Sequence, residues 1–209
     1  MRMAVFPLGA LQTNCYVAAS GANAVVVDPG GDPAPVLAYL KENRLTLSHI
    51  LLTHLHFDHT FGVAPLARET GAVVLASPAD EYMLETDLGR GGVWGLPEVE
   101  TFRHSPLTPG DLALPVGDCK VLATPGHTPG GLSFYFPKLA SVCAGDTLFA
   151  RSVGRTDFPG GNLETLMDSI INGLYTLPDD TAVYPGHGPK TTIGDERLNN
   201  PFVGEFTSR

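Results

Sequence analysis

Short runs of apolar and β-branched residues, bounded by Gly and Pro, recur along the chain. Runs of this kind are typical of buried β-strands. The predicted strands cover residues 24–28, 49–53, 72–76, 120–124, 132–136, 141–144 and 181–184.

The segments between these runs carry signals for helix starts and stops. Asp32 and Ser77 each precede a proline, and they predict helices over about 33–43 and 78–87. A further helix is predicted over 61–70, where Gly71 provides its C-terminal stop.

The clearest helix follows Asn162, because apolar residues recur there with the spacing of one helical face. The alternation of strands and helices predicts a layered α/β domain, and close strand pairs within 112–136 and 132–144 predict hairpins, so we expect mixed sheets. No linker or repeat divides the chain, and we expect one domain over residues 1–209. Residues 88–110 are the least regular stretch and are predicted to run over a site.

Composition excludes several classes of function. The chain has 13 Lys and Arg against 22 Asp and Glu, a net charge of -9, which disfavours nucleic acid as a partner. No secretory leader or membrane span is recognisable, so we expect a cytoplasmic protein that does not bind membranes. The three cysteines are far apart and are expected to be buried free thiols rather than a disulfide framework or a zinc site.

The stretch THLHFDH, residues 53–59, contains three of the seven histidines of the chain. It lies on the turn between a predicted strand and a predicted helix. His54 and His56 would share one side of an extended chain, whereas Asp58 and His59 lie where the helix begins. Because four such groups cannot easily reach one small ion, the pattern favours two ions.

Two ions need further ligands, since a first-row metal usually takes at least three protein groups. His127, Asp146 and His187 each follow a predicted strand. Sites in open α/β sheets tend to lie beyond the carboxyl ends of strands, so these loops are expected to converge on the THLHFDH turn.

HxHxDH at 54–59, followed by His127, Asp146 and His187 in this order, resembles the metallo-β-lactamase superfamily over nearly the whole chain. The resemblance implies a four-layer αββα sandwich with metals at one rim. It implies that His54, His56 and His127 bind a first metal, that Asp58, His59 and His187 bind a second, and that Asp146 bridges them. Asp28 would be either a residue that holds a ligand histidine or a turn residue.

A pair of divalent ions held by two carboxylates keeps a net positive charge, which can polarise a carbonyl and stabilise an oxyanion. Metal-bound water also ionises at about pH 7. We therefore expect hydrolysis by a metal-bridging hydroxide, with Asp58 and Asp146 as the catalytic carboxylates. Zinc is the first expectation for the metal, and iron or manganese remain open.

Within the superfamily, HTPGGLSFY (127–135), the stretch 144–161 with GRTDFPGG, and the stretch 184–202 with YPGHGPK are most similar to glyoxalase II and its short bacterial relatives. This resemblance implies small-molecule thioester substrates such as S-lactoylglutathione. Only 22 residues follow His187, so we expect no C-terminal glutathione-binding helical domain. Arg155 and Arg151 are candidates for substrate contacts, as are Lys190 and Arg197. Tyr82, Trp94 and Phe102 are candidates for an apolar lid.

Other functions remain open. A persulfide dioxygenase with one iron shares the HxHxDH pattern, and hydrolases of other esters, lactones or phosphoesters share the complete site. A β-lactamase is disfavoured by the lack of an export signal, and an RNA-processing enzyme by the acidic composition. A binding module that uses metal only for folding is the non-enzyme alternative.

Overall fold

Two six-stranded β-sheets pack face to face in the computed structural model of the chain, which describes residues 1–93 and 95–204. The first sheet has the spatial order β1 to β6, with antiparallel pairing from β1 to β3 and parallel pairing from β3 to β6. Its strands are β1 (Arg2–Leu8), β2 (Thr13–Ser20), β3 (Asn23–Val27), β4 (Thr46–Leu51), β5 (Val73–Ala76) and β6 (Ser105–Pro106).

The second half of the chain supplies the remaining strands: β7 (Gly110–Leu114), β8 (Gly117–Ala123), β9 (Leu132–Phe136), β10 (Ser141–Gly145), β11 (Leu148–Phe149), β12 (Ser152–Val153), β13 (Ala182–Pro185) and β14 (Thr191–Thr192). The second sheet has the order β14-β13-β10-β9-β8-β7, in which β10 and β13 are parallel and the other pairs antiparallel. β11 and β12 form a separate hairpin. Both sheets are mixed, as predicted.

Helices cover the outer face of each sheet. Val36 and Leu66, from α1 and α3, lie in one apolar cluster with the first sheet, and Leu166 and Ile193, from α5 and α6, lie in another with β10 and β13. The αββα sandwich is thereby confirmed. The α-helices are α1 (Ala34–Glu42), α2 (Phe57–Thr60), α3 (Val63–Thr70), α4 (Asp87–Arg90), α5 (Leu163–Asp168) and α6 (Ile193–Asn199). No helix in the described ranges is long and apolar enough to span a bilayer.

Some elements differ from the sequence predictions. The helix expected over 61–70 begins earlier and is divided at Gly62, where a side chain would lie 2.2 Å from the carbonyl oxygen of Gly31. The segment after Ser77 is a 3-10 helix, Pro78–Glu85, although Ser77 does cap it through the backbone N–H of Ala79. The predicted cap at Asn162 and the stop at Gly71 are confirmed. Asp32 accepts from the N–H of Ala34, but the N-cap position of this helix is Pro33.

A third apolar cluster lies between the two sheets and contains Phe134 with no exposed surface. We expect Phe134→Ala to lower the free energy of unfolding by about 3–5 kcal/mol, because it removes buried apolar surface and leaves a cavity. Urea denaturation of both proteins at equal metal loading measures this difference. Exposed Phe202→Ala is the matched control and should change stability by less than about 1 kcal/mol. A loss for Phe134→Ala as small as the control's would contradict the assignment of this core.

Candidate metal centre

The seven residues singled out in the sequence meet at one edge of the two sheets. His54, His56, Asp58 and His59 follow β4, and the others lie on the loops after β8, β10 and β13. The expectation that these loops converge is confirmed. They form three groups of potential ligands, each with donor atoms within 4.8 Å of one another: His54, His56 and His127; Asp58, His59 and His187; and His54, His59 and Asp146.

The first group is a buried set of three imidazoles. Nε2 of His127 lies 3.0 Å from Nδ1 of His56, and the ring of His54 lies within 5 Å of both rings, at centroid distances of 4.7 and 4.9 Å. Two ring nitrogens at 3.0 Å require a proton or a cation between them, because two lone pairs repel.

The second group pairs histidines with carboxylates. Asp58 Oδ2 lies 3.2 Å from Nε2 of His187 and 3.6 Å from Nε2 of His59. The hydroxyl of Thr13 also donates to this carboxylate oxygen at 3.2 Å. An oxygen and two nitrogens therefore face one point beside the cleft.

Asp146 stands between the two groups. Its carboxylate oxygens lie 3.4 Å from His59, 3.7 Å from His127 and 3.6 Å from His187, in each case measured to Nε2. One side chain from the loop after β10 thus contacts both groups.

The outer nitrogen of each of three histidines is held by a protein oxygen. His127 Nδ1 donates to the carbonyl of Arg155 at 2.7 Å, His187 Nδ1 to the carbonyl of Leu11 at 3.2 Å, and His59 Nδ1 to Asp28 Oδ2 at 3.0 Å. These bonds assign the tautomer in which Nε2 of each ring carries a lone pair that can bind a metal ion.

Asp28 also organises His54 through Thr53. The Thr53 hydroxyl donates to Asp28 Oδ2 at 2.6 Å, so its oxygen accepts from Nδ1 of His54 at 3.0 Å, and Nε2 of His54 is left as a lone pair. Asp28 additionally accepts from the Thr53 N–H at 2.8 Å and has a left-handed φ of 50°. Both interpretations of Asp28 therefore hold, since it is a turn residue and it holds a histidine of the cluster.

Burial and the neighbouring charges divide the histidines into two kinds. Burial and the adjacent rings of His127 and His59 lower the pKa of His56 to about 3, and burial lowers the pKa of His54 too. Burial also opposes protonation of His59, but Asp58 and Asp146 outweigh it and raise its pKa.

The carboxylates show the reciprocal effect. Burial alone would raise the pKa of Asp58 and Asp146, but the neighbouring histidines, His59 foremost, hold both values below the usual range. The centre of the cluster thus favours positive charge.

The backbone of Gly186 packs closely against the side chains of Asp146 and His59. A Cβ at this position would lie 2.1 Å from Oδ1 of Asp146 and 2.7 Å from Cε1 of His59. The loop before His187 can pass behind the two side chains only because residue 186 has no side chain.

Two observations indicate that these residues fit a metal centre, namely the unpaired buried atoms of the cluster and the chemistry of its side chains. Nε2 of His54, Nε2 of His59 and Oδ1 of Asp146 are buried without a hydrogen-bond partner, and each of them faces the other potential ligands. An unpaired buried polar atom is costly, so three of them around one point require a partner. Imidazole and carboxylate together suit zinc, iron and manganese.

A cleft of about 540 Å³ opens onto the cluster. His56, Asp58, His127, Asp146 and His187 contribute to its lining, and Ser152 and Arg155 are its other polar residues. The apolar walls consist of Leu11, Phe57, Leu88, Phe149, Val153 and Phe158.

Two of the arginines named as candidate substrate contacts, Arg155 and Arg151, lie in different places. Arg155 is at the cleft, where its guanidinium binds the carboxylate of Asp157 with two 2.7 Å hydrogen bonds and stacks 3.8 Å from the ring of Phe158. Arg151 does not line the cleft, and it binds Asp195 and Glu196.

The segment 88–110 borders the site in part, since Leu88 lines the cleft and Leu96 and Pro97 line an adjoining crevice with Asp58. Of the candidate lid residues, Phe102 packs against the first apolar cluster and Tyr82 donates to the carbonyl of Pro159. Trp94 lies outside the described residues.

Sequence reasoning missed the carbonyl groups that hold His127 and His187, because a backbone oxygen carries no sequence signal. It also missed Thr13, which precedes the first predicted strand. The three cysteines are free and buried, as expected.

Comparison with known proteins agrees with this geometry. The sequence profile of the metallo-beta-lactamase superfamily matches residues 8–187. The probable metallo-hydrolase YqgX of Bacillus subtilis is 38% identical, and the alignment covers 99% of this chain and 100% of the relative. The hydroxyacylglutathione hydrolase GloC of Haemophilus influenzae is 35% identical over 97% of this chain and 98% of its own length.

Solved structures give the same result. The B3 metallo-beta-lactamase BLEG-1 superposes with a TM-score of 0.91 at 38% identity, covering 97% of this chain and 99% of that one. TTHA1623 in a di-iron-bound form gives 0.86 at 40% identity over 96% and 100%. ETHE1 from Myxococcus xanthus gives 0.76 at 32% identity over 97% and 84%. The chain belongs to the metallo-beta-lactamase superfamily.

Proposed function

We propose that this protein is a dinuclear metal-dependent hydrolase of thioesters, for which S-lactoylglutathione is the first substrate to test. The observation that carries the proposal is the pair of ligand groups that contact one shared carboxylate, Asp146, with three buried atoms left unpaired between them. The full-length similarity to GloC, a hydroxyacylglutathione hydrolase, supports the thioester class.

His54, His56 and His127 would hold one ion, Asp58, His59 and His187 the other, and Asp146 would contact both. Zinc remains the first expectation, because imidazole-rich sets suit it. Iron is a specific alternative, since TTHA1623, at 40% identity, has been solved in a di-iron-bound form. When bound, two divalent ions would polarise a substrate carbonyl and lower the pKa of water to about 7.

The chain's own residues would orient the substrate and keep bulk water out. The apolar walls of the cleft suit an acyl group or the methylene groups of a thiol. Thr13 and His187 hold the carboxylate of Asp58 at the cleft floor, where it can accept a hydrogen bond from a nucleophilic water.

The cleft also favours a leaving group that needs no proton. Among the described residues that line it, the titratable groups are five of the seven potential ligands and Arg155. Arginine stays protonated and cannot act as a general acid near neutral pH. A thiol with a pKa of about 8.5 can leave as a thiolate, whereas an amide nitrogen requires a general acid.

The test is turnover of S-lactoylglutathione, followed by the release of free thiol, with protein loaded with zinc, iron or manganese. We expect thiol release that requires metal. Two other activities belong in the same experiment. One is sulfide- or persulfide-dependent oxygen uptake, which the HxHxDH pattern leaves open, and the other is nitrocefin hydrolysis, because BLEG-1 is a B3 metallo-beta-lactamase. Either activity in the absence of thioester turnover would overturn the proposal.

Asp28→Asn is expected to lower metal affinity about 10- to 100-fold, because asparagine loses the charge that holds Nδ1 of His59. Titration of the metal-free protein against a chromophoric chelator measures the affinity. Asp111→Asn, at an exposed position of β7, is the matched control and should leave it unchanged. An unchanged affinity in Asp28→Asn would mean that Asp28 serves only the turn.

A further inference from the structure

The three imidazoles of the first ligand group come from two separate loops. His54 and His56 follow β4 on the first sheet, whereas His127 follows β8 on the second sheet. Since an ion requires its ligands to be placed within a few tenths of an ångström, something must fix the distance between these loops.

Asp80 connects the two loops. It lies in the 3-10 helix Pro78–Glu85 and has no exposed surface. Its Oδ2 accepts from the Thr128 hydroxyl at 2.8 Å, and its Oδ1 accepts from the Gly130 N–H at 2.6 Å. The backbone N–H of Leu55 also faces this carboxylate and favours its ionised form.

The positions of these three donors matter more than their number. Leu55 lies between His54 and His56, and Thr128 follows His127 directly. One carboxylate thus lies beside the backbone between two potential ligands and binds the residue next to the third. The same helix also contacts the loop of Arg155, whose carbonyl holds His127, because the hydroxyl of Tyr82 donates to Pro159.

Asp80 is closely packed against Gly130. A Cβ on Gly130 would lie 2.6 Å from Cγ of Asp80 and 2.8 Å from Oγ of Ser77. No Lys or Arg of the described residues forms a salt bridge with Asp80, and burial raises the pKa of its carboxyl. A buried carboxylate without a cation is costly, which indicates that its hydrogen bonds serve a purpose beyond filling the core.

Asp28 and Asp80 contact different parts of the cluster. Asp28 contacts His59 and, through Thr53, His54, whereas Asp80 contacts the segments of His56 and His127. Asp28 touches a histidine ring directly, but Asp80 acts only through the backbone and through Thr128.

We propose that Asp80 is a positioning residue that fixes His127 relative to His54 and His56 and thereby sets the affinity of the first metal site. This inference rests on the proposed function in one respect, namely that these three histidines hold an ion. It makes no assumption about the substrate.

The test compares the two steps of zinc binding to the metal-free protein by competition with a chromophoric chelator. For Asp80→Asn we expect one step to weaken about 10- to 100-fold while the other keeps its wild-type affinity. The asparagine side chain has the same shape but presents one acceptor oxygen instead of two, so it cannot serve all three donors. Thioester turnover lost by the variant should return at zinc concentrations above the weakened dissociation constant.

Thr128→Val is the second variant, because it removes one donor and adds no unpaired charge. It should weaken the same step in the same direction. Thr124→Val is the matched control, since Thr124 is equally buried on the same loop but pairs with the hydroxyl of Ser133 rather than with Asp80. It should lower the free energy of unfolding and leave both zinc affinities unchanged.

The outcomes separate this inference from the proposed function. Wild-type zinc affinities in both Asp80→Asn and Thr128→Val, with only stability lowered, would overturn the positioning role. Equal weakening of both steps in the variants would overturn it as well. If the wild-type chain binds two zinc ions and the variants weaken one step, but no thioester is hydrolysed, the positioning role is supported and the proposed function is overturned. A wild-type chain that binds no zinc in the first group would overturn both.

Discussion

Asp146→Ala is expected to reduce kcat/KM for thioester hydrolysis at least 100-fold, a loss of about 2.7 kcal/mol of transition-state stabilisation. Asp146 contacts histidines of both ligand groups, at 3.4 to 3.7 Å from three Nε2 atoms. Residues that merely support a metal ligand change affinity 10- to 100-fold, so the loss of a shared ligand should reach the upper end of that range or exceed it.

The Asp146→Ala variant also loses the carboxylate that raises the pKa of His59 and His187. Fewer cations should therefore be held between these rings, and the number of metal ions per chain should fall together with turnover. Steady-state kinetics and elemental analysis of the same samples measure both. Asp118→Ala, at an exposed position of β8, is the control for the loss of a carboxylate. Wild-type turnover by Asp146→Ala would show that the assignment of this cluster as the active site is wrong.

Gly186→Ala is expected to reduce turnover and metal content about as strongly, although it removes no potential ligand. The new methyl group would lie 2.1 Å from Oδ1 of Asp146 and 2.7 Å from the ring of His59. Atoms cannot approach so closely, so Asp146, His59 or the loop that carries His187 must move. A displacement of about 1 Å at a reactive centre can cost about 100-fold in rate.

Gly188→Ala is the matched control for this variant. It lies two residues further along the same loop, and a Cβ there would meet no atom within 4 Å. Its φ of 76° makes alanine unfavourable, so the control should lose about 1 kcal/mol of stability while it retains metal and turnover. If both variants lose activity equally, general strain in the loop explains the loss, and the close approach at Gly186 does not.

The seven potential ligands meet at one edge because each of them follows a strand that is itself predictable. His127, Asp146 and His187 are far apart in the chain, but β8, β10 and β13 end at the same edge of one sheet. An apolar run that ends in a polar residue is therefore informative about position as well as about secondary structure.

Other parts of the fold were less predictable for physical reasons. β1 and β2 were not predicted, because Pro7, Gly9 and Gln12 interrupt the segment. β2 also begins with the polar residues Thr13 and Asn14, although both are buried. At the helix break the N–H of Gly62 donates to the carbonyl of Pro29, which is distant in the sequence.

Asp80 illustrates the same limit at the site itself. In the sequence it is an acidic residue near the start of a helix, a common place for a solvated carboxylate. The groups that face it are at positions 55, 128 and 130, so its contacts with the two loops depend on the fold and carry no local sequence signal.

We expect seven side chains from four loops to hold two metal ions. The most direct test is the number of ions per chain in wild-type protein that has been loaded with zinc or iron and then dialysed against metal-free buffer. Two ions per chain are expected. A value of one, or of none, for every metal tried would contradict the account.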